Sequence, residues 1–154
     1  YVCLIGNHDC LATGEYVFKK IFGDINFAFT AGKTRFVCLN TNSREFDHTT
    51  SVPDFSFIKE QQEIFPAEAV NTVAAMHAPP TSEQFDNNIS PYFEYELLSF
   101  PNLLCCIHGH THHNSAKDLF GDGNIYYGVA SASKLSYYIF TVFPEGYSYE
   151  TIDC

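Results

Sequence analysis

Short apolar runs separated by polar turns set the rhythm of this chain. Val2 to Ile5 is an unbroken apolar run that stops at Gly6, which predicts a strand over residues 1–5. A helix follows over 15–22, with Val17 and Ile21 on one face and Gly23 placed to end it. Strands are predicted over 27–30 and 35–39, around an Ala31-Gly32 turn. A polar loop, 42–53, leads to Asp54, a capping residue for a helix over 55–65 that Pro66 stops. The next strand, 70–76, runs into His77, and Pro79 and Pro80 force an extended turn after it. A helix over 92–100 ends at Pro101. The run 103–107 is apolar without alternation, as expected of a strand covered on both faces. The remaining chain reads as strands over 118–120, 125–129, 137–143 and 147–152, joined by Gly121-Asp122-Gly123-Asn124 and Pro144-Glu145-Gly146.

Strands alternating with helices first and antiparallel strands last predict an α/β domain of layered sheets flanked by helices. One domain over residues 1–154 is expected from the length, enough to bury about 68–70% of the unfolded surface. Open sheets of this kind place ligands beyond the carboxyl ends of their strands.

Composition narrows the partners. The chain has a net charge of −10 from eighteen acids and eight bases, and the bases do not cluster. Such a surface repels phosphate backbones, so a nucleic-acid partner is not expected. No apolar run reaches the ~18 residues of a membrane span, so no membrane partner is expected either. The six cysteines form no C-x-x-C pair, and Cys3, Cys38, Cys105 and Cys106 sit in apolar strand-like runs. They read as buried free thiols in a reducing compartment, which favours a cytoplasmic location.

Three polar clusters follow predicted strands. Gly6-Asn7-His8-Asp9 offers an amide oxygen for a cation, an imidazole to protonate a leaving group and a carboxylate to orient that imidazole. Met76-His77-Ala78-Pro79-Pro80 holds a histidine rigidly at a strand end, which suits a metal ligand. His108-Gly109-His110-Thr111-His112-His113 places His110 and His112 two apart. On an extended segment both would point to the same side, able to serve two cations. A surface Asx turn and a hydrogen-bonded loop histidine are the plain alternatives for the first two clusters. His48, His108 and His113 read as solvated or supporting, and Asp86, Asn87 and Asn88 as a polar loop after the prolines.

The ordered series G-N-H-D, H-x-P-P and G-H-T-H resembles the calcineurin-like metallophosphoesterase superfamily over most of the chain, from Gly6 to His112. The resemblance implies an α/β/β/α sandwich and a hydrolase of phosphate mono- or diesters using two divalent metal ions such as Mn, Fe or Zn. It implies that Asn7, His77 and His110 ligate the second metal and His112 the first. It makes His8 the catalytic histidine near the leaving group, with Asp9 beside it.

The family's D-x-H and G-D-x-x-D segments do not occur in this sequence. The expectation is therefore a C-terminal portion of the domain, a sandwich incomplete at its N-terminal side and inactive as this fragment. An unpaired edge at 1–5 would then dimerise or hold a separate N-terminal piece. Ala78 stands where many phosphodiesterase-like members carry a second histidine, and G-N-H-D replaces the G-N-H-E of phosphoprotein phosphatases. The first alters substrate contacts without removing a ligand, and the second shifts weight toward small phosphodiesters, cyclic nucleotides among them. A non-catalytic scaffold on the same fold, and a structural zinc site of Asn7, His77 and His110, are the competing readings.

Overall fold

A computed structural model describes residues 1–43 and 51–154, so most of the expected 42–53 loop, with His48, lies outside the described residues. Among the described residues, eight strands and three α-helices follow one another in the order α1 (Gly14–Phe22), β1 (Phe27–Ala31), β2 (Thr34–Leu39), α2 (Phe55–Glu63), β3 (Asn71–Met76), α3 (Ser90–Leu98), β4 (Leu103–His108), β5 (Ser115–Asp118), β6 (Ile125–Gly128), β7 (Ser136–Phe143) and β8 (Gly146–Asp153). Six strands form one sheet in the order β1-β2-β3-β4-β6-β5. Its centre, β2 to β6, is parallel, and both edges are antiparallel. β7 and β8 form a separate hairpin.

Period-two alternation sorts the sheet into two faces. Val37, Leu39, Ala74, Met76, Cys106 and Tyr126 face α2 and α3, where Ile58, Phe93 and Leu97 complete the main core. Val73, Cys105 and Tyr127 face the other way, onto Tyr138, Phe140 and Tyr147 of the hairpin. The chain is thus helix, sheet and sheet in layers, an α/β architecture as expected. The apolar run of β4 is buried from both sides, and Cys105 and Cys106 point into opposite layers. No disulfide joins the six cysteines, and burial pushes the Cys38 and Cys105 thiols up to about 12. Among the described residues no helix is long and apolar enough to cross a membrane.

Several boundaries differ from the sequence expectation for local reasons. Residues 1–5 form no strand. Among the described residues no strand pairs with them, and Ile5 gains its burial by packing on Cys10 and Phe18 instead. α2 begins as expected, its Asp54 side chain accepting from the Phe57 N–H at 3.1 Å. It ends short of Phe65, because a residue before proline is pushed out of helical geometry. α3 starts earlier than expected, at Ser90, with Pro91 in its first turn, where the missing N–H is not needed. β5 ends rather than begins at Asp118, whose carboxylate accepts from the N–H groups of Gly121, Asp122 and Gly123 and so opens the turn.

A buried carboxylate lies beside the main core. Glu94 of α3 is only 3% exposed. The Tyr126 hydroxyl donates to one of its oxygens, and Asn124 Nδ2 donates to the other at 2.8 Å. Burial pushes its carboxyl above the usual range, against the pull of these two bonds. The folded chain therefore holds this proton more tightly than the unfolded chain. Glu94's contribution to stability is complete below the ordinary glutamate range and is lost as pH rises through its raised value. Denaturant titrations between about pH 4 and pH 8 should show the native chain losing stability relative to Glu94→Gln as pH rises. A constant difference across that range would contradict the assignment.

Candidate metal centre

β3 and β4 are parallel neighbours, and Met76 stands opposite His108 in their register. Their carboxyl ends are level, so His77 and the Gly109-His110 pair leave the sheet side by side. The two rings, His77 and His110, lie with centroids 5.3 Å apart and planes at 72°. Gly6 brings the third cluster in. After it the chain makes a single turn of 3₁₀ helix over His8–Cys10, with Asn7 as its cap. His77 Nε2 sits 3.0 Å from Asn7 Oδ1.

Both glycines flank the His77 ring. A Cβ on Gly6 would stand 3.4 Å from His77 Cε1, and one on Gly109 3.1 Å from His77 Nδ1. Any larger residue at Gly109 would press on the ring. Burial, and then the neighbouring His110, lower the His77 pKa to about 4. Its imidazole is neutral at pH 7, the form a cation needs.

The other expected residues border this group. His8 and Asp9 are exposed. The Asp9 carboxylate accepts from the Gly6 N–H at 2.9 Å, so it braces the turn rather than the His8 ring that the sequence assigned to it. The segment after β4 is not extended, contrary to expectation: His110 and His112 have φ of 63° and 57°. Their placement follows from this left-handed path, not from strand alternation. His112 lies close enough for its charge to disfavour protonation of His77, as does His8. The Lys134 ammonium holds the His112 carbonyl at 2.6 Å, and His113 Nδ1 lies 2.7 Å from the Thr111 carbonyl oxygen. His108 is buried, with Nδ1 2.9 Å from the Gly109 carbonyl oxygen. Asn87 binds its own loop, accepting from Thr81 N–H at 2.7 Å and donating to Ser82 O at 2.8 Å. Asp86 Oδ1 accepts from the Asn88 N–H at 3.1 Å.

Three supporting residues were not singled out in the sequence. Thr41, fully buried at the carboxyl end of β2, donates its hydroxyl to the Ala78 carbonyl at 2.7 Å. Asn42 Nδ2 donates to the Ile5 carbonyl at 2.9 Å, while its Oδ1 is buried with no hydrogen-bond partner among the described residues. One strand end thus holds both the segment before Asn7 and the segment after His77. A further polar run directly after a predicted strand was the available signal. Glu83 is the third. Its Oε1 lies 3.0 Å from His110 Nε2, and its carboxyl is held below the usual range by its own backbone N–H and then by His110. Nothing in its sequence surroundings marks it.

Two imidazoles and an amide oxygen fit one borderline cation. Two bonds of about 2.1 Å meeting near a right angle span about 3.0 Å, the His77–Asn7 spacing. Among the described residues no three His, Cys, Asp or Glu side chains gather as a metal site, so the amide of Asn7 is needed to complete the set. A cavity of about 370 Å³ opens beside His77, lined mainly by apolar groups including Leu4, Ile107, Tyr138 and Phe140.

The family model described as calcineurin-like phosphoesterase matches residues 1–114, which includes all three clusters. No curated protein matches the chain significantly.

Thr41→Val keeps the shape of the side chain and removes the donor to the buried Ala78 carbonyl. Urea denaturation should show a loss of about 1–3 kcal/mol. An unchanged midpoint would mean that β2 does not hold the His77 loop.

Proposed function

Because the chain belongs to the calcineurin-like phosphoesterase family, we propose that Asn7, His77 and His110 hold one divalent cation in a metal-dependent hydrolase of phosphate mono- or diesters. The observation that carries this reading is the 3.0 Å approach of His77 Nε2 to Asn7 Oδ1 beside the His110 ring. A bound pair of cations would supply an activated water and charge stabilisation at phosphorus. The protein's own share is positioning. In the metal-free chain His77 Nε2 donates to Asn7 Oδ1; with the ring proton moved to Nδ1, the neutral His77 would offer Nε2 and Asn7 its carbonyl oxygen to the same cation. His112 is the residue this chain would give to a second cation. His8, exposed on the turn next to Asn7, is suited to pass a proton to the leaving alkoxide. Asp9 holds the turn through the Gly6 N–H.

The G-N-H-D order favours small phosphodiesters, cyclic nucleotides among them, over phosphoproteins. The G-D-x-x-D segment from which the family would draw a carboxylate to bridge two cations does not occur in this sequence. Turnover by these 154 residues alone should therefore be close to background. Proton transfer by His8 contributes only about 10²–10⁴-fold without a positioned hydroxide.

Calorimetric titration with Zn²⁺ or Mn²⁺ should give one site per chain, lost in His77→Ala and in His110→Ala. Hydrolysis of bis(p-nitrophenyl) phosphate by the same sample should stay near the blank. Binding that survives both substitutions would remove the metal reading, and strong metal-dependent turnover would remove the expected inactivity.

A further inference from the structure

An exposed carboxylate meets a nearly buried imidazole at the edge of the site. The Glu83 side chain is 79% exposed and that of His110 only 10%, yet Glu83 Oε1 and His110 Nε2 stand 3.0 Å apart. Glu83 lies on a loop with little freedom. Ser82 bonds Pro79 O through both its N–H and its hydroxyl, Phe85 N–H donates to Ser82 O, and Ser43 N–H donates to Gln84 O. Asn87 ties Thr81 and Ser82 together from the other side. The carboxylate is thus presented at a set place, although solvent surrounds it. His110 is equally constrained, by its left-handed backbone and by the His77 ring against it.

A carboxylate is an acceptor only, so the ring nitrogen facing it must carry the proton. In a neutral imidazole that leaves the other nitrogen bare. We propose that Glu83 is a positioning residue that fixes His110 in the Nε2–H tautomer, leaving Nδ1 as its one cation-binding atom. This rests on the metal reading above and adds which atom of His110 is offered and what sets it. An exposed pair of this kind adds little to folding stability, so its effect lies in the tautomer and in ligand basicity.

Long-range ¹H–¹⁵N correlation spectra of the metal-free chain at slightly alkaline pH test the tautomer directly. His110 should show a protonated Nε2 and a bare Nδ1. In Glu83→Ala the two tautomers should mix, with the thermal midpoint unchanged. Glu83→Gln, whose amide oxygen accepts the same proton, should restore the native pattern. Zn²⁺ calorimetry on the same samples should show binding about 10–100-fold weaker in Glu83→Ala. A proton on Nδ1 in the native chain overturns the proposal, as does a tautomer indifferent to Glu83→Ala. Zn²⁺ affinity lost without a tautomer change also overturns it, because Glu83 would then act as a ligand itself. Zn²⁺ affinity unchanged while the tautomers mix overturns it as well. If the native chain binds no Zn²⁺ but its tautomer follows Glu83, the metal reading fails and the positioning role stands.

Discussion

The parallel pairing of β3 with β4 is the constraint from which the site follows. With Met76 opposite His108, two strands end at the same level, and the first polar residues beyond them have to emerge together. A slip by one residue would turn every side chain of β4 to the opposite face. It would carry Cys106 out of the helix-side core and Cys105 off the hairpin. The cost of unpacking both layers is therefore what fixes the spacing of His77 and His110. Packing energy, spread over residues away from the site, sets the geometry of the proposed ligands.

The remaining parts attach to that frame by hydrogen bonds at buried carbonyls. Thr41 and Asn42 reach in opposite directions from the end of β2, one to Ala78 and one to Ile5. Buried carbonyls left unpaired would each be costly, so these bonds fix where the loops sit. Glycine at 6 and 109 then lets three backbone segments close around one imidazole. The result is a histidine that stays neutral because it is desolvated and crowded by other histidines. That is a poor place for a proton and a suitable one for a divalent cation with its own charge.

Much of this was legible in the sequence. The parallel core strands could be read because β4 is apolar on both faces, and the helices because Asp54, Gly23 and the prolines mark their ends. The three clusters could be read because each follows a strand, where an α/β sheet gathers its ligands. What could not be read depended on contacts or on backbone angles. The 1–5 segment has a strand's composition but no neighbouring strand among the described residues, and a strand exists only as a pair. The left-handed path through His110 and His112 leaves no mark in the residue types. Glu83 lies 27 positions from His110, and no local pattern ties an exposed glutamate to a distant histidine. Asp9 was given to His8 by adjacency, whereas a tight turn directs its carboxylate back to Gly6.

The central claim is that one cation sits where the ends of β3 and β4 meet the turn at Asn7. Anomalous diffraction from crystals of the chain grown with Zn²⁺ measures this most directly. The account predicts a single strong peak within bonding distance of Asn7 Oδ1, His77 Nε2 and a ring nitrogen of His110. A peak bound only by surface histidines such as His112 and His113, or no peak at His77 with zinc in excess, would contradict it.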